Sequence, residues 1–436
     1  MKTPHCITLS FIVLLFGNVS SFAETLREAV GRDYQENLRD LFIHFHQNPE
    51  LSFRELETAK RMASELRALG YEVTEGVGQT GVVAVFKNGD GPTVMIRADM
   101  DGLPVREKTE LPYASKKRQN DRYGVEQHVM HACGHDVHIT ALVGTARQLM
   151  NRKDTWSGTL VLICQPAEEI VGGAKAMLED GLYTRFPKPD YALALHVASG
   201  IPLGKIVIYP ETAYSGADTV DIIVHGIAGH GASPHRSIDP VLVASQIVVS
   251  LQSIVSRTLN PLEPGVITVG AIHGGTKHNI ISDRVEMQLT VRSDNFETRE
   301  ILLEGIERVS EGVGRSLGVP ENLLPEVIVS ESESTPPTIN DEATATFVRG
   351  TLEKSLEKGT VIDWPRGGMG AEDFAYFVHP DHGVKGVYFR IGGTATDSTE
   401  DAPPHHSPLF EIKPEPPIKT GVEAMVVAAE ALLKRN

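Results

Sequence analysis

The sequence predicts an α/β fold in which a mostly parallel sheet is covered by helices and carries a smaller, ferredoxin-like α+β unit as an insertion. Helix-like and strand-like segments alternate from about residue 25 to residue 209, which is typical of such a sheet. From about residue 212 to residue 330 the order becomes β-α-β-β-α-β, the order of a ferredoxin-like unit. We therefore expect one domain from residues 24–212 and 331–436, and an inserted domain from residues 213–330.

The individual elements are predicted from apolar periodicity and from the turn residues between segments. In the first part we predict helices over residues 35–46, 55–69 and 138–150, and strands over residues 81–86, 93–98, 159–164 and 191–195. In the inserted part we predict strands over residues 219–224, 266–272, 285–292 and 325–329, and helices over residues 239–259 and 298–317. The Pro-rich segment 403–417 is predicted to be a loop.

Length and composition indicate an ordinary globular protein. With 436 residues, 41% of them hydrophobic, the chain can bury a sizeable core and is expected to form two or more domains. Its formal net charge is −16, and no run of Lys and Arg offers a basic patch. Nucleic acid is therefore not an expected partner, because its binding requires basic surface that neutralises phosphates.

The first residues have the layout of a secretory signal peptide. Lys2 precedes an apolar run over residues 7–16, and Ser21 and Ala23 are small residues at the −3 and −1 positions of a cleavage site. The apolar run is too short to span a bilayer comfortably, so cleavage and release are favoured over an uncleaved anchor. We expect residues 1–23 to be removed and the mature protein to be periplasmic or extracellular, without membrane attachment.

Four separate segments carry side chains of the types that bind zinc and similar metals. They are His131-Ala132-Cys133-Gly134-His135-Asp136, Gln165-Pro166-Ala167-Glu168-Glu169, Leu195-His196-Val197 and His405-His406-Ser407-Pro408. The glutamates and His196 directly follow predicted buried strands, and α/β folds place their active sites at the carboxyl ends of such strands. Asp99 and Asp101 follow another strand in the same way, so we expect an aspartate in the site or directly behind it.

The cysteines leave one alternative to metal binding. Once Cys6 has left with the signal peptide, Cys133 and Cys164 remain, and in an oxidising compartment they could form a disulfide. Cys164 lies within an apolar strand pattern and is typical of a core residue, whereas Cys133 has His131, His135 and Asp136 as neighbours. We therefore favour metal binding for Cys133.

Taken in order, five motifs resemble those of the dinuclear metallo-amidohydrolases related to carboxypeptidase G and aminoacylase, with the hippurate and auxin-conjugate hydrolases as the closest branch. The motifs are Ala98-Asp99-Met100-Asp101-Gly102-Leu103-Pro104, His131-Ala132-Cys133-Gly134-His135-Asp136, Gln165-Pro166-Ala167-Glu168-Glu169, Gly229-His230-Gly231-Ala232-Ser233-Pro234-His235 and Ala371-Glu372-Asp373-Phe374. The resemblance covers nearly the whole mature chain. It implies a catalytic α/β domain and an inserted domain that serves dimerisation and closure over the substrate.

The resemblance also implies roles for single residues. The ligands of two divalent metal ions are Cys133, as a bridge, together with His135, Glu169, His196 and His406, with His405 as the alternative to His406. Glu168 is the general base, His230 stabilises the oxyanion, often from the partner subunit, Asn279 and Arg292 bind the substrate, and Asp101 and Asp136 lie behind the ligands. Zinc or manganese is expected, and cobalt or nickel also fits such a donor set.

The leading hypothesis is therefore hydrolysis of the amide bond of a small N-acyl or N-aroyl amino acid by a homodimer. An exported dipeptidase or aminoacyl peptidase with the same dinuclear site is the nearest alternative. A metal-dependent binding protein without catalysis is an alternative of another class, but binding alone does not require Glu168 beside Glu169.

The leader generates a first prediction. If the full chain is expressed in a bacterium that exports it, we expect the exported protein to begin at Glu24, because Ala23 provides the small residue that cleavage requires. Intact-mass spectrometry of the periplasmic and extracellular fractions checks this, and Ala23→Arg is expected to retain the leader. An uncleaved chain that stays in the cytoplasm would contradict the export hypothesis.

Overall fold

The computed structural model describes residues 24–433, so the predicted leader, residues 1–23, lies outside the described part of the chain. The strands, in chain order, are β1 (Glu72–Val77), β2 (Gly81–Asn88), β3 (Thr93–Asp99), β4 (Arg118–Asn120), β5 (Glu126–His128), β6 (Gly158–Gln165), β7 (Tyr191–Ala198), β8 (Ile206–Ile208), β9 (Thr212–Tyr214), β10 (Gly216–His225), β11 (Gly229–His230), β12 (Gly265–Gly274), β13 (Ile280–Ile281), β14 (Arg284–Ser293), β15 (Glu326–Val329), β16 (Thr338–Ile339) and β17 (Lys385–Gly392). The helices are α1 (Leu26–Asp33), α2 (Arg39–Gln47), α3 (Leu56–Ala68), α4 (His135–Asn151), α5 (Gly173–Glu179), α6 (Leu182–Arg185), α7 (Pro240–Ser253), α8 (Phe296–Ser316), α9 (Glu342–Ser355), α10 (Phe374–Phe377) and α11 (Glu415–Leu433).

The larger sheet has seven strands in the order β1-β2-β6-β3-β7-β17-β8. Its four central strands, from β6 to β17, run parallel, and the strands at both edges pair antiparallel. Alternate residues of β3 enter different cores, with Val94 and Ile96 against α4 and α11, and Met95 against α5 and α10. Strands buried on both faces explain the continuous apolar runs, and the predicted α/β class with a mostly parallel sheet is confirmed.

The smaller sheet has the order β12-β14-β10-β15, and all its pairs are antiparallel. Every second residue of β10 is buried, so one face of this sheet is covered. Val220 and Ile222 pack there against Ile247 of α7 and Leu302 of α8, in a core separate from that of the larger sheet. This strand order is that of a ferredoxin-like unit.

Several element boundaries differ from the prediction for identifiable reasons. The first helical segment begins at Leu26 rather than at residue 35, because Thr25 and Glu28 form a capping box, and a π-helical turn, Tyr34–Leu38, joins α1 to α2. The predicted loop 403–417 ends at Glu415, where α11 begins with two prolines that need no backbone donor in a first turn. The strand predicted over residues 191–195 continues to Ala198, so His196 lies inside β7 and not beyond its end.

None of the five strands and helices after residue 330 had a predicted counterpart. The longest are the central strand β17 and the helices α9 and α11, and α11 packs against α4 over the larger sheet. The last part of the chain thus returns to the first sheet, with β17 paired to β7. This return brings the carboxyl ends of β3, β6, β7 and β17 to one edge of the sheet.

Candidate metal centre

A cavity of about 570 Å³ lies between the carboxyl edge of the larger sheet and the smaller sheet. The wall from the larger sheet includes Cys133, Glu168, Glu169, His196 and His406. The opposite wall comes from β10 and β14 of the smaller sheet and includes Arg292. Five predicted ligand or base residues and one predicted substrate-binding residue therefore share one cavity.

The donor atoms in this wall lie close enough to share small cations. Three overlapping groups have all their donor atoms within 4.8 Å of one another. They are Cys133 with His135 and His196, Cys133 with Glu169 and His406, and His135 with Glu168 and Glu169. Cys133 belongs to two of these groups, which agrees with a bridging position.

A short turn after β6 positions the two glutamates. Ala167 and Val171, at its two ends, have φ angles of 49° and 48°, which are uncommon for residues with a side chain. The backbone N–H groups of Glu168 and Glu169 donate to the two carboxylate oxygens of Asp101, each at 3.1 Å. Asp101 therefore lies behind the turn and fixes the backbone that carries both glutamate side chains.

Two histidines present a free ring nitrogen to the cluster. His135 Nδ1 lies 2.8 Å from the backbone oxygen of Asp101, and His196 Nδ1 lies 2.6 Å from that of Val197. A carbonyl oxygen only accepts, so each Nδ1 carries a proton and Nε2 is the ring nitrogen left for a cation. Nε2 of His196 lies 3.4 Å from Cys133 Sγ, so this nitrogen faces the ligand cluster.

The neighbouring histidines His405 and His406 have different surroundings. His405 Nε2 accepts a hydrogen bond from the backbone N–H of Ser199 at 3.4 Å, which leaves the proton on Nδ1, 3.6 Å from Cys133 Sγ. His405 is thus oriented as a donor to the sulfur. His406 Nε2 lies 3.3 Å from a carboxylate oxygen of Glu169 and has no competing backbone donor among the described residues, so the geometry favours His406 as the ligand.

The protein groups alone shift the ionisation of this cluster. Burial raises the pKa of the Cys133 thiol well above its usual range, and Glu169 and Glu168 add to the effect. Burial also raises the pKa of the Glu169 carboxyl to about 8, although His135 opposes it. Burial lowers the pKa of His135, but Asp99 and Asp101 outweigh it and raise this pKa to about 10. Cations that replace these protons would relieve the repulsion among the acidic groups.

The donor set therefore fits divalent cations. His135 Nε2 and Glu169 Oε1 are buried without any hydrogen-bond partner among the described residues, although buried polar atoms are normally paired. A thiol, three imidazoles and carboxylates are the ligands that zinc and related transition metals take. Cys133 and Cys164 are both free, so the alternative disulfide is not formed.

A deeper polar layer supports the cluster and was not assigned from the sequence. Arg97 of β3 is buried and bonds Asp99 at 2.6 Å and Glu372 at 2.6 Å. The other oxygen of Asp99 lies 2.5 Å from Nδ1 of His138, whose Nε2 accepts the N–H of Val197. Two features of the sequence could have indicated this layer. They are the arginine inside the apolar strand and the Glu372-Asp373 pair, to which the sequence analysis assigned no role.

Three predicted residues lie elsewhere. Asp136 bonds Nδ1 of His46 at 2.7 Å and contacts no predicted ligand in the described hydrogen-bond network, because it lines a separate, smaller pocket together with His46. His230 and Asn279 are exposed on the smaller domain, where the Gly231 N–H donates to the Asn279 carbonyl oxygen. Neither of these two residues lines the cavity.

An α/β sheet that gathers a thiol, imidazoles and paired carboxylates at its carboxyl edge, beside a cavity, defines a metal-dependent hydrolase. The chain belongs to peptidase family M20/M25/M40, whose sequence model matches residues 95–431. This membership confirms the resemblance found in the sequence motifs.

Individual relatives agree with this family. Hippurate hydrolase from Campylobacter jejuni is 37% identical over 349 residues, which cover 79% of this chain and 86% of the relative. IAA-amino acid hydrolase ILR1-like 2 from Arabidopsis thaliana is 35% identical and covers 84% of this chain and 79% of its own length. A solved dinuclear metal binding peptidase from Bacillus subtilis has a TM-score of 0.75 and 28% identity, over 92% of this chain and 99% of that chain.

The support from Asp101 generates a prediction about metal affinity. Asp101→Ala removes the acceptor for both glutamate N–H groups, so the affinity for zinc or manganese is expected to fall about 10- to 100-fold. Competition with a chromogenic chelator measures it. Asp121→Ala is the matched control, because Asp121 also accepts two backbone N–H groups but lies in an exposed turn. Equal affinities of the two variants would contradict the role of Asp101.

Proposed function

We propose that this protein hydrolyses the amide bond of N-acyl or N-aroyl amino acids. The observation that carries the proposal is the pair of adjacent carboxylates in the cavity wall, Glu168 and Glu169. The Glu169 carboxylate lies beside His406 in the ligand cluster, which leaves the Glu168 carboxylate to act as the base. The names of the hippurate and IAA-amino acid hydrolases support an acyl or aroyl conjugate as the substrate class.

We propose Cys133, His135, Glu169, His196 and His406 as the ligands of two divalent cations per subunit. Zinc or manganese suits this mixture of sulfur, nitrogen and oxygen donors, and cobalt or nickel can replace them. When bound, such cations make a water molecule more acidic and polarise the carbonyl of the substrate. The remaining steps fall to side chains of the chain itself.

We assign the transfer of the proton to Glu168. Its Oε2 atom lies 3.8 Å from His135 Nε2, so the carboxyl group borders the ligand cluster. Burial raises the pKa of Glu168 well above its usual range, and Glu372 and Glu169 add to this effect. A carboxylate with a raised pKa accepts a proton from the attacking water and delivers it to the leaving amine.

We assign binding of the carboxylate of the amino-acid part to Arg292. It lines the cavity from the smaller domain, and it forms no ion pair among the described residues. The nearby carboxylate of Asp218 is already engaged by Arg299, through two hydrogen bonds of 2.9 and 2.7 Å. The Arg292 guanidinium is thus available for a carboxylate from outside the chain.

We further propose that the protein is a homodimer in which His230 and Asn279 complete the partner's cavity. Helix α7 exposes the apolar side chains of Val241, Leu242 and Val249, and β12 is an unpaired edge strand of the smaller sheet. The segment Pro240–Thr258 is long and apolar enough to cross a membrane by length and composition alone, but one face of it packs on the smaller sheet. A second copy would cover this surface.

Export is also proposed, on the strength of the leader pattern. The first described helix has its capping box at Thr25, two residues after the proposed cleavage site. Cleavage after Ala23 would leave this box intact, which supports the proposed mature start.

The assignment of the base predicts a separable loss of activity. Glu168→Gln keeps the size of the side chain but removes the proton acceptor, so the kcat for hippurate is expected to fall by about 10² to 10⁴ with the metal content unchanged. Glu333→Gln is the control, because Glu333 lines the same cavity at an exposed position. Retained turnover in the Glu168 variant would reject the assignment.

The dimer proposal predicts a mass and a dependence of activity on assembly. Light scattering is expected to give two subunits for the wild type, and Val249→Glu, which places a charge on the apolar face of α7, is expected to give an inactive monomer. Phe347→Glu, an equally drastic change at an exposed site on α9, is expected to stay dimeric and active. A fully active monomer would contradict a shared site.

A further inference from the structure

Arg390 of β17 is a cationic side chain in the cavity to which the mechanism above assigns no role. It lies directly beside His196 in the pairing of β17 with β7, and it lines the same cavity as the ligand cluster. In the strand order, β17 lies on the side of β7 away from β6, the strand that leads to Glu168. The guanidinium is thus next to the cluster, on the side opposite to the base.

The ion pairing of the arginines makes Arg390 unusual. Within residues 24–433, the part-buried and buried arginines each pair with a carboxylate, with only two exceptions, Arg292 and Arg390. The paired ones are Arg61, Arg97, Arg147, Arg152, Arg299, Arg349 and Arg366. Both exceptions line the cavity.

Aromatic rings hold the Arg390 side chain in place without neutralising it. Its Cζ atom lies 4.3 Å from the ring centroid of Tyr214 and 5.9 Å from that of Tyr209. The Nε atom of Arg390 and the hydroxyl group of Tyr209 are both buried without a hydrogen-bond partner among the described residues. Both groups can donate a hydrogen bond, and within residues 24–433 neither has an acceptor.

An unpaired charge in such a place is costly. A guanidinium stays protonated at every physiological pH, so it cannot relieve its burial by losing a proton. Cation–π contact with Tyr214 offsets only part of the desolvation cost. The guanidinium of Arg366, in contrast, is paired with a carboxylate of the chain, because it bonds Asp294 at 2.7 Å.

We infer that Arg390 binds a second carboxylate of the substrate, so that the preferred substrates are N-acyl amino acids with two anionic groups. This inference rests on the proposed function, in which Arg292 takes the first carboxylate. Carboxylate is the chemistry that the planar, fork-like donor set of arginine matches best. The second carboxylate can belong to the acyl chain or to the amino-acid side chain, and the experiment below separates these two sources.

The test compares substrates that differ only in charge. The metal-loaded enzyme is assayed with N-benzoylglutamate against N-benzoylglutamine, for the side-chain source, and with N-succinylglycine against N-succinamoylglycine, for the acyl source. We expect kcat/KM to be about tenfold or more higher for the charged member of one pair, because a neutral amide leaves the guanidinium unpaired. The pair that shows this preference identifies the source.

Two variants connect the preference to Arg390. Arg390→Gln is expected to abolish the preference while turnover of the neutral member stays within about threefold of wild type, and Arg390→Lys is expected to retain part of it. Equal rates on both members of both pairs in the wild type would overturn the inference. An equal loss on both members in Arg390→Gln would do the same, since that is the result of a merely structural role.

A binding measurement separates this inference from the proposed function. Titration calorimetry of the metal-loaded protein is expected to show about tenfold tighter binding of glutarate than of glutaramate, and Arg390→Gln is expected to remove the difference. If no amide is hydrolysed but this difference is present, the proposed function fails and the carboxylate site stands. If amides are hydrolysed without the difference, the inference about Arg390 fails alone.

Discussion

The rest of the structure depends on a buried cluster of a thiol, carboxyl groups and imidazole nitrogens whose charge the chain does not neutralise by itself. Cys133, Glu168 and Glu169 face the free ring nitrogens of His135 and His196, and burial raises the pKa of the thiol and of both carboxyls. Leaving such groups together without cations is unfavourable. Each element that meets at this edge of the sheet therefore has to be held in place by the remaining structure.

Two layers provide that support and divide the charge between them. In the deeper layer, Arg97 supplies the positive charge for Asp99 and Glu372, and Tyr388 donates to Glu372 at 2.6 Å. In the layer above, Asp101 and backbone carbonyls orient the glutamates and imidazoles but add no positive charge. The chain thus neutralises the inner acids with an arginine and leaves the outer ones without a positive charge of its own, while two further arginines line the cavity without an ion pair among the described residues.

Local patterns predicted much of the fold and of the donor cluster, whereas long-range pairings escaped prediction. The apolar run ending in Glu168 and Glu169 indicated a buried strand and a site at its end, because both signals lie in one short segment. The run ending at His196 gave the same signal, although the strand continues through it. Arg97 forms ion pairs with residues up to 275 positions away in sequence, and Arg390 has no such partner among the described residues. No periodicity in the sequence encodes either fact. The roles of His230 and Asn279 depend on a second subunit and stay predictions.

Anomalous diffraction from crystals grown with zinc tests the central claim most directly. Two strong peaks are expected beside Cys133, one near His196 and the other near His406, and reduced sulfur is expected at Cys164. Featureless anomalous maps at this edge of the sheet, or a covalent bond between the two cysteines, would contradict the account.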